Sequence, residues 1–101
     1  MIIEVASIRV KDGTEAALEA AVGQAVEVFR RARGCLGLHL QRCIEEPSLY
    51  EAVIRWQTLE NHTVDFRGSD LFQEWRALVG AYFAESPSVR HYEVAIPGAD
   101  F

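Results

Sequence analysis

The sequence predicts an α+β fold of order β-α-β-β-α-β, and three features of its 101 residues carry that prediction. Four short runs rich in β-branched and apolar residues lie near 2–10, 35–44, 49–56 and 89–96. Two longer stretches between them repeat apolar residues every three or four positions. A turn at Glu45-Glu46-Pro47-Ser48 joins the second and third runs too closely for anything but a hairpin.

Ile2 to Val10 reads as a strand that stops at Lys11-Asp12-Gly13. Thr14 is placed to cap the first helix, with Glu15 in the turn where the helix dipole favours an acid. Leu18, Ala21, Val22, Ala25, Val28, Phe29 and Ala32 form its apolar stripe, and Arg33-Gly34 is its expected end. From Cys35 to Ile44 the chain alternates, with Leu36, Leu38 and Leu40 expected on one face and Gly37, His39 and Gln41 on the other. Leu49 to Trp56 is the return strand.

Thr58 is expected to cap a short helix running to about Arg67, which Gly68 ends. Ser69 caps the next, whose stripe is Leu71, Phe72, Trp75, Leu78, Val79, Tyr82 and Phe83. Pro87 closes that helix, Val89 to Ile96 is the last strand, and 97–101 form an unpatterned tail. This order is the split-βαβ, or ferredoxin-like, plan: a four-stranded antiparallel sheet with both helices on one face, expected to form a single domain.

Two helices cover one side of such a sheet. Ile3 and Val5 on the first strand, with Leu49 and Val53 on the third, give the other side apolar character, and water would not leave it bare. A homodimer packed through the open sheet face, two sheets closing into a barrel-like core, is therefore expected.

Fifteen acids against ten bases give a net charge of −5, which argues against a nucleic-acid partner. The first residues lack the features of a secretory signal, and no apolar run approaches the ~18–20 residues that span a bilayer. A cytoplasmic location and no membrane contact are expected. Cys35 and Cys43 share a strand-like segment but lie too far apart along it to bond each other, so free thiols are expected. No GxGxxG, phosphate loop or metal-ligand spacing supports flavin, nicotinamide, ATP or zinc, and no cofactor is expected.

Half of the aromatic residues fall between Trp56 and Tyr92, together with His62 and His91, which points to a pocket there. Trp56 could wall it or serve as a core residue whose indole N–H finds a partner. His62 shares a helical face with Leu59 and Phe66, either as a structural residue or as a general base. Arg76 borders the buried stripe of the second helix, either snorkelling to water or aimed inward to hold an anion. His91 is read as structural or as part of a dimer seam, and His39 faces away from the leucines.

With the KDG turn, GCLGLHLQR, YEAVIRW, FRGSDLFQEW and PSVRHY in hand, the chain resembles the antibiotic biosynthesis monooxygenase domain proteins over about residues 2 to 93. That group includes small quinol oxygenases and polyketide-anthrone oxygenases. The resemblance implies a dimeric α/β barrel that oxygenates an electron-rich phenolic, quinol or anthrone-like substrate without flavin, metal or haem. It also implies a pocket between sheet and helices. In the anthrone oxygenases that pocket uses an Asn and a Trp four apart on the third strand, an Arg from the second long helix, and a Tyr after the Trp. Trp56 and Arg76 match the Trp and Arg, Ala52 stands at the Asn position, and His62 is offered in place of the Tyr.

The residues and the resemblance together nominate Trp56, His62 and Arg76 as catalytic and Ala52, Phe66, Phe72 and Tyr82 as substrate-binding. Ser7, Phe66 and Arg76 replace the Asn, Trp and His of the haem-degrading branch, which argues against that chemistry. The alternatives are a non-catalytic dimeric binding or stress-related protein on the same scaffold, or a small-molecule isomerase.

Overall fold

In the computed structural model, which describes residues 1–101, strands β1 (Ile2–Arg9), β2 (Cys35–Arg42), β3 (Leu49–Trp56) and β4 (Ser88–Tyr92) form one sheet of order β2-β3-β1-β4. Every neighbouring pair is antiparallel. Helices α1 (Glu15–Arg30) and α2 (Asp70–Val79) pack against one face. The α+β ferredoxin-like plan read from the sequence is the observed one.

Alternation divides each strand between the two faces. Toward the helices β1 sends Glu4, Ala6 and Ile8, and β3 sends Tyr50, Ala52, Ile54 and Trp56, all buried. Leu18, Ala21, Val22, Ala25, Val28 and Phe29 of α1 meet them, as their spacing requires. Each large side chain closed off here contributes about 1.5–3 kcal/mol of transfer free energy. One polar residue, Glu4, sits in this apolar series.

The other face is less apolar than the sequence suggested. Ile3, Val5 and Val53 form a short half-buried stripe across it. The register sets Arg55 beside Ile3 and Glu51 beside Ser7, and brings Arg90 and His39 alongside the Val5–Val53 pair.

Several boundaries differ from expectation, each for a local reason. Strand β4 stops at Tyr92 rather than Ile96, because its only neighbour is β1, whose pairing with it ends at Ile3. Leu36 leaves the leucine face: the β2–β3 register shifts between Cys35 and Gly37, so Leu36 is bulged outward and Cys35 packs against the core instead. Gly37 has φ 155°, and a Cβ there would strike the Arg55 guanidinium.

Helix α1 ends at Arg30, short of Arg33, and Gly34 takes φ 76° just before β2. Its cap differs as well: the Thr14 hydroxyl donates back to the Lys11 carbonyl at 2.6 Å, while Glu15 accepts the Gly13 N–H. Ser69 precedes α2 as expected, but its hydroxyl donates to the Phe66 carbonyl rather than capping. Both cysteines are free. No helix is long and apolar enough to cross a membrane.

The segment after Trp56 was expected to be an ordinary short helix. It is a π-helical segment over Asn61–Phe66, with the Arg67 N–H bonded to the His62 carbonyl five residues back. Thr58 does secure its start. Its hydroxyl accepts the Asn61 N–H while the Asn61 side-chain oxygen accepts the Thr58 N–H, a reciprocal pair of capping-box type. That Asn61 side chain lies where a Cβ on residue 34 would be, so Gly34 is required for both its backbone angle and the space it leaves.

Candidate functional site

A cleft of about 440 Å³ opens between the helix-facing side of β1 and the elements that follow β3. Its walls are aromatic: Phe29 of α1, Phe66 of the π-helical segment, Phe72 and Trp75 of α2, and Phe83 beyond it. Phe29 stacks on Phe66 at 5.0 Å and meets Trp75 edge-on at 5.1 Å, so these rings brace one another. Arg67 and Arg76 line the cleft on exposed positions, and neither guanidinium has a carboxylate partner.

The buried polar residues at the cleft are Glu4 and His62, at 5% and 2% exposure. Glu4 Oε1 accepts the Trp56 indole N–H at 3.0 Å and lies 3.4 Å from His62 Nε2. The other His62 nitrogen, Nδ1, is 2.8 Å from Nε2 of His91 on β4. Trp56 stacks on the His62 ring at 5.4 Å and 22°, fixing its plane. Glu4 and His91 approach opposite nitrogens of His62, so the three form a chain and not a converging set of metal donors.

Burial sets the charge states. It raises the Glu4 carboxyl to about 7, against the opposing pull of the Trp56 hydrogen bond and the Arg67 charge. It lowers the His62 imidazole to about 4, with Arg67 and His91 adding to the effect. His91 is lowered too, by its partial burial and then by Arg67. Near neutral pH both rings are therefore uncharged, and Glu4 is the group that titrates.

Of the residues nominated from the sequence, His62, Arg76, Phe66 and Phe72 come together in the cleft. Trp56, Ala52 and Tyr82 do not line it. Trp56 is fully enclosed and acts from behind, on Glu4 and His62. Ala52 is fully buried beneath the sheet face, paired with Ala6, and Tyr82 is half-buried in the 3₁₀ turn Gly80–Tyr82 beside Phe83, which takes the wall position.

Sequence reasoning missed Glu4, Arg67 and the role of His91. For Glu4 the signal was present: an acid on the same alternation as Ala6, Ile8 and Val10 is an acid pointed into the core.

The sequence model for antibiotic biosynthesis monooxygenases matches residues 1–78. The chain belongs to this family. Among antibiotic biosynthesis monooxygenase relatives, a Bordetella bronchiseptica structure assigned to the family by name is 54% identical, with a TM-score of 0.93 over 94% of this chain and 97% of that one. The uncharacterized YczJ protein of Bacillus subtilis is 37% identical over 93 residues, 92% of this chain and 98% of its own length. A Nitrosomonas europaea structure, also carrying the family name, shares the fold at a TM-score of 0.78 but only 17% identity, covering 95% of this chain and 100% of that one.

Proposed function

We propose that the protein is a cofactor-independent monooxygenase acting on a small phenolic, quinol or anthrone-like aromatic substrate. The observation that carries this is a cleft with five aromatic walls, two unpaired guanidiniums, and a buried carboxyl–imidazole pair. In this reading a planar ring lies against the wall that Phe66, Phe72 and Phe83 form, and Arg76 with Arg67 stabilises the anion formed when the ring loses a proton.

Glu4, ionised in part at neutral pH and braced by His62 and Trp56, takes that proton. It supplants His62 in this role because both His62 nitrogens already face protein partners. With its charge held by the guanidiniums, the resulting anion is electron-rich enough to reduce oxygen, so the substrate supplies the electrons itself.

Oxygen uptake with a panel of hydroquinones and anthrones in metal-free buffer tests the proposal. Turnover is expected, falling roughly 10²-fold in Arg76→Ala. Binding of panel members without any oxygen uptake would instead support the non-catalytic reading, which Ala52 favours because the resemblance places an asparagine there.

The proposal includes a homodimer formed through the open sheet face, where the Ile3, Val5 and Val53 stripe is the apolar centre and the Arg55, Arg90 and Glu51 rows supply a polar rim. Sedimentation at micromolar concentration is expected to give a dimer, and Val5→Asp a monomer. A monomeric wild-type protein would overturn the assembly.

A further inference from the structure

We propose that Glu4, His62 and His91 form a proton wire joining the cleft to solvent at the edge of the sheet. The wire deepens the proton abstraction proposed above and rests on it for its use, although its existence can be tested without any substrate.

The geometry is linear. Both protein contacts of Glu4 fall on Oε1, and Oε2 has no protein partner while Glu4 lines the cleft. His62 is enclosed and bridges inward through Nε2, at 3.4 Å, and outward through Nδ1, at 2.8 Å. His91 stands half-buried on β4, an edge strand, with Nδ1 free of protein partners. The inner link is long for a hydrogen bond and must shorten for transfer, as catalytic contacts do once a ligand is bound.

Transfer balances without leaving charge on His62. With Glu4 protonated, its O–H donates to His62 Nε2, and His62 Nδ1–H donates to His91 Nε2. One hop at each link moves the Glu4 proton to His62 Nε2, the His62 Nδ1 proton to His91 Nε2, and the His91 Nδ1 proton to water. Glu4 is left as the carboxylate, and every hydrogen bond in the chain has reversed. Both rings start and finish neutral, so the low basicity of His62 is no obstacle.

The groups facing the wire fit this. Arg67 disfavours an imidazolium at either ring and favours the ionised carboxyl. Trp56 from β3 donates to Glu4 in both states, and the nearby Cys35 thiol on β2 is held neutral by burial. A wire of this kind resets Glu4 to its basic form while a substrate blocks the cleft.

The test is nitrogen-15 histidine NMR of the whole protein across the range in which Glu4 ionises. The pyrrole-like and pyridine-like signals of His62 are expected to exchange places, and those of His91 to do the same at the same midpoint. Glu4→Gln should abolish the coupled exchange while leaving both rings neutral. If His62 keeps one tautomer throughout, or the two rings change at unrelated midpoints, there is no wire. A second measurement uses turnover: His91→Ala should slow it roughly tenfold, with recovery in added free imidazole. A slow variant that imidazole fails to restore would likewise overturn the proposal. The tautomer result stands even if no oxygen uptake is found, so the wire and the oxygenase proposal can fail separately.

Discussion

Glu4→Gln is expected to lower turnover by about 10²–10⁴-fold, the usual contribution of a positioned general base, without unfolding the protein. Glutamine keeps a side-chain oxygen for the Trp56 indole N–H and a polar group toward His62, so neither is orphaned. It removes the buried carboxyl at the cleft, whose ionisation burial has moved up to about 7. The substrate Kd should change little, because the aromatic walls and Arg76 are untouched. Steady-state oxygen uptake, with binding measured separately, distinguishes this from a packing defect. Wild-type turnover in Glu4→Gln would remove Glu4 from the mechanism.

The same substitution is expected to become progressively more stabilising, relative to wild type, as pH rises from 4.5 to about 8. Glu4 is raised from 4.5 to about 7 in the folded protein, so its contribution to stability is full below 4.5 and is lost as pH climbs to 7. His62 is lowered from 6.5 to about 4, so its contribution is full above 6.5 and is lost as pH falls to 4. Between 4.5 and 6.5 these slopes oppose each other. Folded and unfolded chains each hold one proton on the pair, whichever residue carries it, and the wild-type stability contribution of the pair is flat there.

Removing Glu4 uncovers the rising slope of His62, to which His91 adds with the same sign. Across the full range the difference between variant and wild type should reach about 3 kcal/mol, at ~1.4 kcal/mol per pH unit. Urea titrations at pH 4.5, 6 and 8 measure it. A difference independent of pH would show that Glu4 ionises in the fold as it does in the unfolded chain.

The strand order and the buried stripes were legible because alternation and helical periodicity are local properties of the chain. Leu18 through Phe29 and Tyr50 through Trp56 declare their inward faces residue by residue. The cleft was legible in part: His62, Phe66, Phe72 and Arg76 lie close together in sequence and were read as a group. Glu4 and His91 were not joined to them, because they meet His62 only through the β1–β4 pairing, which sets Glu4 opposite His91. Trp56 was read either as a wall of the pocket or as a core residue, because sequence cannot say which of two stacked rings lies in front; here it is His62, with Trp56 buried behind it. The bulge at Leu36 and the early end of β4 depend likewise on neighbouring strands and not on the segments themselves.

The π-helical segment carries a consequence of its own. Its wider winding advances each residue through a smaller angle than an α-helix, in which one residue turns the chain by about 100°. Adding a single residue between Leu59 and His62 while keeping this winding would turn everything beyond it by roughly 90°. His62 and Phe66 would then leave the directions from which they face Glu4 and the cleft. In this stretch length is a stricter inheritance than identity: exposed Thr63 and Val64 are open to exchange, whereas their number is not.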